Sequence, residues 1–162
     1  MNLEVGDVLV CRGKSTLSKL IMKVTNGTWS HSALYTEVWG QPSIIEAQQN
    51  GVNFKMYDVW IKKYGYEYDV FRYNKEFNEK ELIIRAFSKC GETKYDFLTF
   101  FVKIPFRLLI GKDKYKKDKP RDKKQICSEF TSWVWKLPTK EITPQEQHNY
   151  FTNSKDWDKI TI

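Results

Sequence analysis

The sequence predicts an α+β fold in which helices pack on an antiparallel sheet. Three observations predict it. Residues 30–49 read as a hairpin, "SHSALYTEV" and "SIIEAQQ" joined through "WGQP". "NEKELIIRAFSKCG" carries both start and stop signals of a helix. "ICSEFTSWVWKL" reads as a late helix on which Cys127, Phe130 and Val134 share one side at i, i+3 and i+7. With 162 residues, 41% of them hydrophobic and 15% aromatic, the chain suits one domain over 1–162 with a substantial core, not a disordered tail.

In chain order, residues 7–12 of "VGDVLVCRG" form a short apolar strand after a turn. "KSTLSKLIMKVTNG" is a helix: Ser15 caps it, Leu17, Leu20, Ile21 and Val24 recur at helical spacing, and Gly27 lies just past its end. In the strand that follows, alternation points Trp29, His31, Ala33 and Tyr35 the same way. "YEYDVFRY" is a third strand with alternating aromatics. In the helix from residue 78, Asn78 caps, Glu81 sits three residues on and Gly91 closes. "YDFLTFFVKIPFRLLIG" is apolar but interrupted by Lys103, Pro105 and Arg107, which suits a pair of short core helices or a greasy wall beside a substrate site. In "ITPQEQHNY", Thr143 caps a helix with Pro144 in its first turn.

The net charge is +7, but "KDKYKKDKPRDKK", residues 112–124, holds eight Lys or Arg against three Asp and so carries +5 of it. That excess reads as a solvated basic loop, with aromatics too sparse for a nucleic-acid stacking platform. Cys11, Cys90 and Cys127 are an odd, widely spaced set, which excludes a disulfide framework and a structural zinc site. No metal or other cofactor is expected. No apolar stretch reaches the ~20 residues of a membrane span. The N-terminus shows no signal peptide, so a cytoplasmic protein is expected.

His31 is one of only two histidines. A core histidine held by a hydrogen bond is one reading. A catalytic base is the other, and it requires a nucleophile and an orienting partner. Cys127 is the best nucleophile candidate, because a helix N-terminus favours a thiolate. Cys11, in a strand, and Cys90, at a helix C-terminus, are worse placed. Glu46, between Ile45 and Ala47 in an apolar strand, is the candidate orienter. If Val38 pairs with Gln41, Glu46 lies opposite Ala33, diagonal to His31 on the same face at roughly 7–8 Å between Cα atoms. A wider loop keeps the face but lengthens the distance, and a one-residue slip puts the two on opposite faces. If Glu46 only orients His31, the nearly isosteric Glu46→Gln is expected to leave stability almost unchanged.

The order "GDVLV", "KVTNGTWSHSALY", "IIEA", "KYDF", "ICSEF" resembles the permuted papain-like amidases of the NlpC superfamily, YiiX-like branch, from about residue 5 to about residue 150. The resemblance implies a circularly permuted papain-like fold with the His strand first and the Cys helix late. It implies Cys127 as nucleophile, His31 as base, Glu46 as orienter and Tyr95 of "GETKYD" as a substrate or oxyanion contact. The implied function is a cysteine hydrolase cleaving an amide, with a small peptide, cell-wall-type or lipid-linked, as substrate. A lipid-directed thioesterase or acyltransferase and a non-catalytic binding module stand as alternatives. The basic segment before Cys127 departs from the pattern as an insertion. The oligomeric state is not legible.

Overall fold

The structure, a computed structural model, describes residues 3–91, 94–95, 124–138 and 142–161. Its elements are β1 (Val8–Arg12), α1 (Thr16–Thr25), β2 (His31–Val38), β3 (Gln41–Gln48), β4 (Gly51–Met56), α2 (Tyr57–Tyr64), β5 (Glu67–Tyr73), α3 (Glu79–Phe87), β6 (Lys94–Tyr95), β7 (Lys124–Gln125), α4 (Cys127–Val134), α5 (Pro144–Asn153) and β8 (Trp157–Ile160). Six strands form one sheet in the order β4-β3-β2-β1-β5-β8, with every neighbouring pair antiparallel. β6 and β7 pair separately, in parallel.

Both faces of the sheet are covered, which explains why β1 and β2 are almost wholly buried rather than alternating. On one face Val8, Val10, Leu34, Ile45 and Phe71 meet Phe130 and Val134 of α4, Phe151 of α5 and Leu82 of α3. On the other, Leu9, Cys11, Ala33, Tyr35 and Ile44 meet Tyr57 and Trp60 of α2. Phe130 and Val134 have no exposed surface, and burying each contributes about 1.5–3 kcal/mol.

The capping residues act as their types dictate. Ser15 Oγ accepts from Ser18 N–H at 3.0 Å, Asn78 Oδ1 from Glu81 N–H at 3.0 Å, and Thr143 Oγ1 from Glu146 N–H at 3.2 Å. The Glu81 carboxylate turns outward to Arg85 and Lys136. α1 ends one residue earlier than Gly27 suggests, because Asn26 takes the left-handed cap at φ 47°.

The hairpin register is the tight one. Val38 pairs with Gln41 and Leu34 with Ile45. Trp39 and Gly40 both have positive φ, 53° and 73°, the backbone that a two-residue type I′ turn requires. Continuing that register places Ala33 opposite Glu46.

Strands β4, β6, β7 and β8 and helix α2 are additions to the sequence reading. One expectation fails: Trp29 does not share the face of His31. β2 begins only at His31, so strand alternation does not reach back to residue 29. The Trp29 ring stacks on His148 at 4.6 Å and packs with the opposite core. The apolar segment after Tyr95 and the basic segment up to Lys123 lie outside the described residues. Among the described residues, no helix is long and apolar enough to cross a membrane.

Candidate active site

Glu46 is the pivot of the site. It lies in the middle of β3 with no exposed surface, on the face covered by α2. A bare carboxylate there would be prohibitively costly, and three donors satisfy it. His31 Nε2 donates to Oε2 at 2.7 Å, and Trp60 Nε1 donates to the same oxygen at 2.9 Å. Lys55 Nζ donates to Oε1 at 2.9 Å. Burial alone would raise the Glu46 pKa, but the hydrogen bonds and charges of His31 and Lys55 bring it down to about 2. These three bonds correct the expectation for Glu46→Gln. A carboxamide has one acceptor oxygen, and its NH2 would face a donor, so the swap is destabilising.

His31 opens β2 and is 8% exposed. Burial opposes its charge, yet the Cys127 sulfur and then Glu46, by charge and hydrogen bond, raise its pKa to about 10. With Nε2 taken by Glu46, Nδ1 is the ring nitrogen left for Cys127. Tyr66 covers the imidazole, stacked at 5.5 Å with the rings 23° apart.

Cys127 is the first residue of α4 and has no exposed surface. Two contacts set it beside His31. Ser32, the next residue of β2, points to the other face of the sheet, where its hydroxyl lies 3.0 Å from Thr131 Oγ1. Thr131 Oγ1 also bonds back to the Cys127 carbonyl at 3.3 Å. The first turn of α4 is thereby fixed against the start of β2. Gln147 of α5 holds α4 from behind, its Nε2 donating to Thr131 Oγ1 at 2.8 Å and to Ser132 Oγ at 3.0 Å. Glu129 Oε2 accepts the Ile126 N–H at 3.0 Å, which caps the helix at its entry.

The structure therefore brings His31, Glu46 and Cys127 together. Tyr95 lies in β6, paired with Gln125 two residues before Cys127; its side chain lies outside the described part. Cys11 pairs with His31 across β1 and β2, but burial, with the Glu46 and Cys127 charges, pushes its thiol well up. Cys90 is raised by burial too. Sequence reasoning missed Lys55, Trp60 and Tyr66. The pattern Tyr57, Trp60, Ile61, Tyr64, at i, i+3, i+4 and i+7 before Gly65, is the signal that marks α2 and with it Trp60.

The two shifts give stability a pH dependence. Glu46 has a depressed folded pKa, so its contribution is present above the ordinary value of 4.5 and is lost as pH falls through about 2. His31 has a raised one, so its contribution is present below 6.5 and is lost as pH rises through about 10. The site is expected to stabilise the fold most between these two windows. Urea midpoints measured across pH check this: they should fall on both sides in the wild type, and the alkaline fall should shrink in His31→Gln.

No family model and no curated protein matches the chain. A solved structure does: metalloprotein yiiX from Escherichia coli O157:H7, at 17% identity over 99% of this chain and 98% of that chain, with a TM-score of 0.68. At that identity the likeness establishes the fold: this chain has a YiiX-like fold of mixed helices and strands built on a six-stranded antiparallel sheet.

Proposed function

We propose that this protein is a cysteine hydrolase that cleaves an amide bond through an acyl-enzyme on Cys127, on a circularly permuted papain-like fold. The observation that carries the reading is His31, held by Glu46 through one ring nitrogen and facing the Cys127 sulfur with the other. The order of the chain supports it as well, with the His strand early and the Cys helix late.

The chemistry follows from these positions. The Cys127 thiolate attacks the carbonyl carbon of the substrate, and the carbonyl oxygen takes the negative charge. Backbone N–H groups at the start of α4 stabilise that oxyanion, each donor contributing about 2.7–4 kcal/mol in comparable sites. As the C–N bond breaks, imidazolium gives its proton to the departing amine. The neutral ring then takes a proton from water, which attacks the thioester and releases the acid and the thiol. Glu46 holds the ring orientation and favours its protonated form throughout. Tyr95 is assigned to substrate or oxyanion binding, and a small peptide amide is the substrate class.

The YiiX neighbour is described as a metalloprotein. The side chains here do not suit a metal. Among the described residues no three His, Cys, Asp or Glu side chains form a ligand set. Both Glu46 oxygens are already occupied, one of them by an ammonium.

The test is a panel of short peptide amides, thioesters and phospholipid vesicles, with intact-mass detection of an acyl adduct. A peptide-derived adduct on Cys127, absent in Cys127→Ala, is expected. An adduct from thioester or lipid alone would redirect the reading to acyl transfer. Equal turnover by Cys127→Ala would end it.

A further inference from the structure

The mechanism above uses one oxygen of Glu46 and leaves the other to Lys55. Lys55 comes from β4, where it stands opposite Ile44, so it shares the face of Glu46. Its ammonium is held by three acceptors: Glu46 Oε1 at 2.9 Å, Gln48 Oε1 at 3.3 Å and Asn53 Oδ1 at 2.5 Å. A lysine has three N–H donors, and all are used. Gln48 is itself fixed by the Tyr64 hydroxyl at 2.9 Å. The Lys55 side chain is only 19% exposed. Ordering and desolvating so long a side chain is costly, which sets this pair apart from an incidental surface ion pair.

Resting on the hydrolase reading, we propose that Lys55 is a positioning residue of this site: it fixes the second oxygen of Glu46 and shares the carboxylate charge, so that His31 can release its proton to a leaving group. With Lys55 present, the Glu46 charge is divided between two cations, and the group Lys55, Glu46, imidazolium and thiolate sums to zero. Without Lys55 the sum is negative, the imidazolium proton is held more tightly, and a departing amine competes with Glu46 for it. The other titratable groups facing the pair are Cys11 from β1, Tyr66 from the turn before β5 and Tyr64 of α2, whose ring centroid lies 5.7 Å from Lys55 Nζ. Burial, first among the causes, pushes Cys11 and Tyr66 upward and keeps them uncharged.

The test uses the full chain and three variants: Lys55→Met, Lys55→Gln and Lys55→Arg. Two readouts are taken across pH, the rate of Cys127 alkylation by iodoacetamide and the ring 13Cε1 shift of His31. The chain has two histidines, so His148→Asn completes the assignment. Cys127 has no exposed surface, so labelling also requires a local opening; pH limbs are compared, not absolute rates. In Lys55→Met the rise of labelling and the His31 midpoint are both expected to move to higher pH by about one unit. Lys55→Gln, which keeps a donor to Glu46 and serves where Lys55→Met does not fold, should move the same way. Lys55→Arg, which keeps the charge, should return both close to wild type. If the neutral variants lose stability while their pH profiles coincide with wild type, Lys55 merely ties β4 to β3 and the proposal is overturned alone. If wild-type Cys127 labels no faster than Cys90 at about pH 6, the hydrolase reading falls and this proposal falls with it.

Discussion

Glu46→Ala is expected to cost about 3–5 kcal/mol of stability, a large share of the roughly 5–15 kcal/mol that holds an ordinary domain together. The carboxylate is fully buried and accepts from His31, Trp60 and Lys55. Truncation removes the acceptor of the His31 and Trp60 N–H groups and the counter-charge of the Lys55 ammonium, which keeps only Gln48 and Asn53. Glu46→Gln should lose less, about 1–3 kcal/mol, because one donor is left opposed rather than three. Urea unfolding measures both. A Glu46→Ala midpoint matching wild type would mean that water reaches Lys55 and His31, and that the carboxylate is not the centre of the arrangement.

His31→Ala is expected to act on reactivity more than on stability. The ring stands between the Cys127 sulfur and Glu46, and it supplies the positive charge that favours a thiolate. Without it, alkylation of Cys127 at about pH 6 should fall about a hundredfold, while labelling at high pH, where a thiolate forms without a partner, should change far less. Glu46 then keeps Lys55 and Trp60, so this variant should remain folded. An unchanged rate at about pH 6 would show that the helix terminus alone activates the sulfur.

How the site assembles is partly legible in the sequence, and the reason is geometric. Parity along a hairpin is rigid: once Trp39 and Gly40 make a two-residue turn, residues 31, 33, 44 and 46 must share a face. The start of α4 at Cys127 follows from the spacing of Phe130 and Val134, both of which face the core. The meeting of Cys127 with His31 is a different matter. It depends on the Ser32–Thr131 contact and on Gln147 behind the helix, neither of which a local pattern announces. Lys55 was illegible for a similar reason. In "GVNFKM" it looks like a solvent-facing residue of an edge strand, and only the β3–β4 register turns it over Glu46. Trp29 was misplaced because alternation was extended two residues beyond the true start of the strand. α2 lacks a side-chain N-cap, so its start carries no signal although its apolar spacing does.

The most direct test of the account is to treat the folded protein with iodoacetamide at about pH 6 and map the modified cysteines. Alkylation at Cys127 is expected, with Cys11 and Cys90 unmodified because burial raises both thiols, and that labelling should be lost in His31→Ala. Equal modification of all three cysteines, or labelling of Cys127 that ignores His31, would contradict it.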